Sequence, residues 1–186
     1  MSNPLRHLPN AICCARIALT VPVVDALARA DHWLALAVFS VAALSDGLDG
    51  FLAKRFGWTS DLGRILDPLA DKILLVAAFL ACAWAGLVPT WLAAAAIARD
   101  VMLVGGAVIF RLWFGPLPGH PSIVSKFNTG LQIAVVIVAI LNAAVALVPD
   151  ALVFALAAVT LGTTIVSGVG YVGRYLRQAW SMPMAD

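Results

Sequence analysis

The sequence has little charge and, among its acids, no glutamate. Charged residues make up only 12% of the 186 residues, hydrophobic residues make up 62%, and the ten acids are all Asp. A soluble domain is typically about 25% charged and about 45–50% apolar. Because so little polar surface cannot cover a water-soluble fold, the composition excludes an ordinary soluble domain and predicts a membrane protein.

Cysteine is also scarce, and the net charge is small. Cys13, Cys14 and Cys82 all lie in apolar stretches, so we interpret them as apolar packing residues and not as a disulfide framework or metal site. A net charge of +2 is too small to indicate nucleic acid as a partner. Mean hydropathy, at +0.97, points again to a membrane.

Six apolar stretches are present, each close to the roughly 20 residues that one membrane-spanning helix needs. They occupy residues 10–27, 33–54, 63–85, 90–110, 123–147 and 151–175. The stretches show no internal repeat, and they leave no room for a separate soluble domain. The sequence therefore predicts an all-α integral membrane protein with six transmembrane helices, in which residues 1–186 form a single domain.

The cations are unevenly divided between the two ends of these spans. An even number of spans puts both termini on one side, and that side carries Arg6, Lys54, Arg55, Arg64, Arg111, Lys126, Arg174 and Arg177. The opposite loops carry Arg29 alone. The positive-inside rule then predicts that both termini are cytoplasmic. Because the first residues resemble neither a signal peptide nor a transit peptide, we expect a bacterial inner membrane.

Four carboxylates interrupt the second and third apolar stretches. Asp46 and Asp49 are three residues apart, Asp67 and Asp71 are four apart, and each pair therefore shares one face of a helix. A short connection makes the two helices neighbours, so the four acids can converge near the cytoplasmic surface. Because four carboxylates so close together repel one another, either some of them stay protonated or a cation neutralises them. An all-carboxylate set suits Mg²⁺ or Mn²⁺, and two such ions about 3.5–4 Å apart can promote displacement at phosphorus.

Small residues accompany these acids. Gly50 and Ala53 continue the stripe of Asp46 and Asp49, and Gly63 lies four residues before Asp67. Glycine in a helix interior costs about 1 kcal/mol, so its presence indicates that space is needed there. A small-residue patch beside the acids lets a ligand approach the backbone closely.

The full pattern is Asp46-x-x-Asp49-Gly50-x-x-Ala53-Lys54, eight residues, then Gly63-x-x-x-Asp67-x-x-x-Asp71. This long pattern of fixed spacing resembles the signature of the CDP-alcohol phosphatidyltransferases, and the likeness extends over nearly the whole chain. The resemblance implies a six-helix fold and a homodimer of membrane-bound enzyme subunits. It also implies that Asp46, Asp49 and Asp67 hold two metal ions, with Asp71 completing the second site.

The resemblance also implies the reaction. Asp71 takes the proton of the acceptor hydroxyl, whose oxygen attacks the phosphorus bonded to diacylglycerol, and CMP leaves. The positions that match contacts with the CDP-lipid are Asn10, Gly50, Ala53, Lys54, Ser60 and Gly63. Two residues depart from the family pattern: Lys54 stands where Arg is usual and loses its bidentate grip on a diphosphate, and Cys13 stands where Ser or Thr is usual. Arg16 matches the pattern that opens the first helix.

The acceptor alcohol is less closely specified. Its candidate contacts are Arg99, Arg111, Lys126 and Asn128. Residues 98–103 and 121–129 resemble the cardiolipin synthase branch, whereas the phosphatidylglycerophosphate synthase branch usually has a second Lys at the position of Asn128. Glycerol 3-phosphate is nearly a dianion and phosphatidylglycerol carries a single charge, so Asn128 favours phosphatidylglycerol as the acceptor. Glycerol 3-phosphate is the alternative.

Structural roles compete with some of these assignments. Arg99 is equally explained by a pair with Asp100 or with a carbonyl of the sixth span, and Lys126 by an anchor at the membrane surface. A different class of protein, an ion or proton transporter, also places Asp within a membrane. Transporters commonly show paired repeats and broken helices at mid-membrane, which this sequence does not, so the enzyme is the preferred interpretation.

Overall fold

Six α-helices follow one another in the computed structural model, which describes residues 8–56, 63–114 and 122–181. They are α1 (Leu8–Ala28), α2 (His32–Phe56), α3 (Gly63–Trp84), α4 (Thr90–Phe114), α5 (Ile123–Val145) and α6 (Asp150–Ser181). The predicted all-α class and the number of helices are therefore confirmed. Four of the six, α1, α4, α5 and α6, are long and apolar enough over their described residues to cross a membrane. Six spans and cytoplasmic termini remain predictions.

The helix ends agree with the apolar stretches at most boundaries and differ at the C-terminus. The sixth apolar stretch was predicted to end at residue 175, and α6 continues to Ser181. Hydropathy marks where a helix leaves hydrocarbon, whereas the backbone hydrogen bonds of the helix continue through the polar residues Arg177 and Gln178.

The turns between helices use local capping. The Asp31 carboxylate accepts a hydrogen bond of 3.1 Å from the Leu34 backbone N–H and so caps the start of α2. After α3, Gly86 has a φ of 74°, which glycine adopts without strain, and the Leu87 N–H returns to the Cys82 carbonyl at 2.9 Å. These turns are short, so consecutive helices there run antiparallel.

The helices form two groups that meet along the middle of the molecule. In the first group, α1 packs against α2 and α3; in the second, α6 packs against α4 and α5. The groups join where α5 contacts α2 and α3, and where α4 contacts α3. Buried alanines, among them Ala35, Ala42 and Ala78, let the helix backbones approach closely, as is usual between membrane helices.

Large apolar side chains lie on both the inside and the outside of this bundle. Phe39, Phe79 and Ile140 are buried in the core, whereas Leu80 and Ile165 are more than half exposed. Exposed apolar surface on this scale is unfavourable in water, whereas the hydrocarbon of a membrane solvates apolar side chains well. The outer surface of the helices therefore agrees with a membrane protein.

Candidate active site

The four acids of the signature lie on consecutive helices. Asp46 and Asp49 are in the second half of α2, and Asp67 and Asp71 are in the first half of α3. The backbone is helical at all four positions, and α2 and α3 are in contact. The side chains of Asp46, Asp49 and Asp67 lie outside the described part of the chain, so their predicted convergence stays a prediction.

Asp71 is the acid of this set whose side chain the structure describes, and it forms an ion pair with Arg16. The Arg16 Nη1 donates a hydrogen bond to Asp71 Oδ1, joining α1 to α3. The Arg16 side chain is 0% exposed and that of Asp71 is 38% exposed. A buried guanidinium needs a counter-ion, because an unpaired charge in an apolar interior is strongly unfavourable. Arg16 thus holds the carboxylate in place while leaving it partly accessible.

A small cavity of about 60 Å³ lies beside this ion pair. Its walls come from α1, α2, α3 and α5: Arg16, Phe39, Ala42, Ala43, Asp71, Lys72, Leu74, Leu75, Thr129 and Ile133. Four polar residues, Arg16, Asp71, Lys72 and Thr129, therefore line one space, and the rest of the lining is apolar. The cavity is large enough to admit a few water molecules or a small alcohol group near the Asp71 carboxylate.

Lys72, the next residue after Asp71, pairs with a different helix. Its Nζ lies 2.6 Å from Oδ2 of Asp100 on α4. The other oxygen of Asp100, Oδ1, accepts a hydrogen bond of 2.6 Å from Arg99 Nη1. The side chains of Asp100 and Arg99 are only 7% and 3% exposed. These three residues form a network of charges between α3 and α4, which we call the Asp100 network; Arg99 and Asp100 are buried in it, and Lys72 is partly exposed.

Arg99 extends this network to two further helices. Its Nη2 donates to the hydroxyl of Ser125 on α5 at 2.5 Å and to the hydroxyl of Ser167 on α6 at 2.8 Å. The alternative that Arg99 pairs with Asp100 is therefore confirmed, and its partner on α6 is a side-chain hydroxyl and not a carbonyl. With Nη1 and Nη2 both engaged by the protein, Arg99 is held deep in the bundle.

The other predicted acceptor contacts differ in their burial. Asn128 is fully buried, and its Oδ1 accepts hydrogen bonds from Thr163 (2.7 Å) and Thr164 (2.9 Å) on α6. The Lys126 side chain is exposed near the start of α5. For Arg111 the helical backbone of α4 is described and the side chain lies outside the description. The structure thus separates Asn128, which contacts α6, from the cavity at Asp71.

The predicted contacts with the CDP-lipid fall mostly outside the described side chains. Ser60 lies between the described ranges 8–56 and 63–114. The backbone of the remaining five positions is helical, and their side chains are not described: Asn10 on α1, Gly50, Ala53 and Lys54 on α2, and Gly63 at the start of α3. Their roles therefore stay predictions.

The donor set fits a hard divalent cation by its chemistry. Among the described residues, no three His, Cys or Asp side chains come together to hold a metal ion. The acids of the signature are all carboxylates, and the one described, Asp71, is partly accessible beside a cavity. Mg²⁺ and Mn²⁺ prefer such oxygen ligands. Asp46, Asp49, Asp67 and Asp71 are the residues that would hold these ions.

Lys72, Ser125 and Ser167 are not among the site residues that the sequence predicts. One signal was available: a charged side chain within an apolar helix needs a partner, and Lys72 and Asp100 are both of this kind. Their pairing was not predictable from spacing, because the two residues lie on different helices.

Comparison with known proteins relates the whole arrangement to one enzyme family. A sequence model described as CDP-alcohol phosphatidyltransferase matches residues 6–166. Human cardiolipin synthase (CMP-forming) is 34% identical over 145 residues, which cover 69% of this chain and 48% of the human protein. The chain spans about half the length of the first such curated relatives.

Two relatives carry a different name. CDP-diacylglycerol–glycerol-3-phosphate 3-phosphatidyltransferase 1, chloroplastic, of Oryza sativa subsp. japonica is 32% identical over 188 residues, covering 91% of this chain and 57% of the rice protein. A probable phosphatidylglycerophosphate synthase of Mycobacterium tuberculosis is 33% identical over 152 residues, covering 81% of this chain and 68% of that protein. The relatives are therefore named for two different activities, cardiolipin synthase and the synthase of phosphatidylglycerophosphate.

Proposed function

The chain belongs to the CDP-alcohol phosphatidyltransferase family, and from that premise we propose that it transfers a phosphatidyl group from CDP-diacylglycerol to phosphatidylglycerol, giving cardiolipin and CMP. One observation carries the proposal: Asp71, the last acid of the signature, is held by buried Arg16 at the wall of a cavity. A carboxylate so placed can accept a proton from an alcohol, a contribution typically worth about 10²–10⁴-fold in rate.

The proposed reaction is a single displacement at phosphorus. The acceptor hydroxyl oxygen attacks the phosphorus bonded to diacylglycerol, and the bond from that phosphorus to the oxygen shared with CMP breaks. The hydroxyl proton passes to the Asp71 carboxylate, and CMP leaves with the bonding electrons. Mg²⁺ or Mn²⁺, held by Asp46, Asp49, Asp67 and Asp71, would stabilise the charge that develops on the diphosphate.

The CDP-lipid is bound, in this proposal, by residues around the acids. Gly50, Ala53 and Gly63 leave room for the diphosphate beside the helix backbones, and Lys54 supplies a cation. Asn10 and Ser60 complete the set. The family signature supports this assignment at Gly50, Ala53 and Gly63, which occupy its fixed positions, and at Lys54, which replaces the usual Arg. Asn10 and Ser60 rest on the wider family resemblance.

For the acceptor, we assign direct contact with the phosphodiester to Lys126 and Arg111. Arg99 and Asn128 belong to the same region, and their partners within the protein favour a supporting role. Asn128 stands where the phosphatidylglycerophosphate synthase branch usually has a second Lys, and this likeness to the cardiolipin synthase branch, not a contact with the acceptor, supports an acceptor of single charge. This supports phosphatidylglycerol.

Glycerol 3-phosphate is the second candidate acceptor, and one observation favours it. The rice relative, which is named for glycerol 3-phosphate, is similar over 91% of this chain. Transfer to that acceptor would give phosphatidylglycerophosphate in place of cardiolipin, with the same donor and the same released CMP.

We also propose a location and an assembly. The distribution of cations supports cytoplasmic termini and a site facing the cytoplasm, in a bacterial inner membrane. The family resemblance supports a homodimer. An ion or proton transporter, the remote alternative, would not release CMP from a CDP-lipid, and so one assay separates the two classes.

The acceptor assay tests the proposal directly. Purified protein is given radiolabelled CDP-diacylglycerol and Mg²⁺ or Mn²⁺, with phosphatidylglycerol or glycerol 3-phosphate, and the lipid products are separated. We expect cardiolipin from phosphatidylglycerol, formed about 10²–10⁴-fold more slowly by the Asp71→Asn control. Phosphatidylglycerophosphate without cardiolipin would overturn the acceptor assignment, and absence of CMP release with either acceptor would overturn the proposed activity.

A further inference from the structure

Two neighbouring residues of α3 carry opposite charges, and each is held by a different helix. Asp71 pairs with Arg16 on α1, and Lys72 pairs with Asp100 on α4. Successive residues of a helix point about 100° apart, so the two ion pairs contact the same turn of α3 on different sides. Two ion pairs on different sides restrain the orientation of that turn more than either one would alone.

Asp100 is itself fixed by its second oxygen. Oδ2 faces Lys72 Nζ at 2.6 Å, and Oδ1 accepts from Arg99 Nη1 at 2.6 Å. Arg99 in turn donates to Ser125 and Ser167. The carboxylate that holds α3 is therefore connected to α5 and α6 as well as to α4, and it is almost completely buried.

The apolar packing around this turn cannot provide the same restraint. Ala70 and Leu74, the neighbouring buried residues on α3, make contacts that are not directional. Ion pairs with hydrogen bonds are directional and are strengthened where water is excluded. A catalytic group must be held within about 0.5 Å of its productive position, and a directional restraint meets that need.

We propose that Asp100 is a positioning residue for phosphatidyl transfer: by holding Lys72, it fixes the turn of α3 that carries Asp71. This inference rests on the proposed function, since it takes Asp71 as the group that receives the proton. Asp100 acts through Lys72 and makes no contact with substrate. Arg99 supports Asp100 and links it to α5 and α6.

The test compares Asp100→Asn, Lys72→Met and the double variant with the wild-type protein in the CMP-release assay. Lys72→Met is the milder change, because the Asp100–Arg99 pair stays complete. We expect each single variant to lower kcat by about 10-fold to 100-fold, with KM for CDP-diacylglycerol unchanged within about twofold. Because both changes remove the same connection, the double variant should lose little more than the worse single variant.

A second measurement separates positioning from a merely structural role. Lys72→Arg keeps the cation and should recover most of kcat, whereas Lys72→Met should stay impaired even where its melting temperature matches that of the wild type. The control is Asp25→Asn at the end of α1. It removes an exposed ion pair in which Asp25 Oδ1 lies 3.0 Å from Arg29 Nε, and it should leave kcat unchanged.

The outcomes distinguish the inference from its premise. Normal kcat in Asp100→Asn or in Lys72→Met, with an active wild type and a strongly impaired Asp71→Asn, would overturn the positioning role and leave the proposed function standing. A loss in Lys72→Met that is absent in Asp100→Asn would show that Lys72 acts directly, which also overturns it. A wild-type protein that releases no CMP would contradict the proposed function itself, and the inference with it.

Discussion

Arg16 and Asp71 are separated by 55 positions in the sequence and form an ion pair between α1 and α3, with the guanidinium fully buried and the carboxylate about a third exposed. The pair gives α1 a direct part in a site whose signature lies entirely on α2 and α3. It also explains why a charged residue stands on the inner side of the first apolar helix, where Cys13 and Thr20 are its buried neighbours.

Replacing Arg16 by Met should impair both folding stability and turnover. Removing one partner of a buried ion pair costs about 3–5 kcal/mol, and the partial exposure of Asp71 reduces that figure. A loss of about 1 kcal/mol lowers Tm by about 2–4 °C in a chain of this size, so we expect a fall of several degrees, measured by thermal unfolding in detergent. Arg16→Lys should recover part of both losses.

The control for this experiment removes a cation that lies outside the bundle. Arg29→Ala breaks the exposed pair with Asp25 and should change Tm and CMP release little, because an exposed ion pair contributes about 0–1 kcal/mol. An Arg16→Met protein with wild-type Tm and wild-type turnover would contradict the assigned role of this ion pair.

Asp71→Asn and Asp67→Asn should differ in metal binding. The Asp71 variant loses its proton acceptor, so we expect turnover to fall by about 10²–10⁴-fold while Mn²⁺ still binds to the other acids. The Asp67 variant should lose Mn²⁺ binding as well as turnover. CMP release measures the first property, and electron paramagnetic resonance of Mn²⁺ measures the second. Normal turnover in either variant is incompatible with the proposed mechanism.

The number of helices and the pairing of carboxylates on one helix face could be predicted from the sequence, because both follow from local spacing along the chain. Apolar stretches of membrane-crossing length are local features, and turns such as the one at Gly86 mark their ends. Asp67 and Asp71 share a helix, so their relation follows from a spacing of four residues. The extension of α6 to Ser181 was missed, because hydropathy falls before the helix ends.

The contacts between helices could not be predicted from the sequence. Lys72 and Asp100 are each visible as charges in apolar surroundings, and many pairings would satisfy them. Their meeting at 2.6 Å depends on how α3 and α4 pack. The pairing of Arg99 with Asp100 could be predicted because the two residues are adjacent in sequence. Its further partners, Ser125 and Ser167, could not.

Lys126 and Asn128 should respond differently to substitution, although they are close in sequence. Lys126→Ala removes an exposed cation, so we expect the KM for the acceptor to rise about tenfold, equivalent to about 1.4 kcal/mol of binding, with Tm unchanged. Lys126→Arg is the control and should retain acceptor affinity. An unchanged KM in Lys126→Ala would leave this residue only its role as an anchor at the membrane surface.

Asn128→Leu, in contrast, should act through stability. It leaves the hydroxyls of Thr163 and Thr164 without the amide oxygen that now accepts their hydrogen bonds. Hydrogen bonds between membrane helices are worth about 0.6–2 kcal/mol each, so we expect a fall in Tm of a few degrees. An increase in acceptor KM without any fall in Tm would assign Asn128 to the acceptor site and not to the contact between α5 and α6.

Lys54→Arg should improve binding of the CDP-lipid. The family pattern usually has Arg here, and its planar guanidinium can bind two oxygens of a diphosphate at once, whereas the Lys ammonium acts as a single point of charge. We expect the KM for CDP-diacylglycerol to fall by about tenfold in the CMP-release assay, since one added hydrogen bond to a charged group contributes about 1.5 kcal/mol or more. The matched control is Lys54→Met, which removes the charge and should raise that KM. If both variants leave the KM at the wild-type value, position 54 does not contact the diphosphate, and the assignment of the CDP-lipid site on α2 is wrong at this residue.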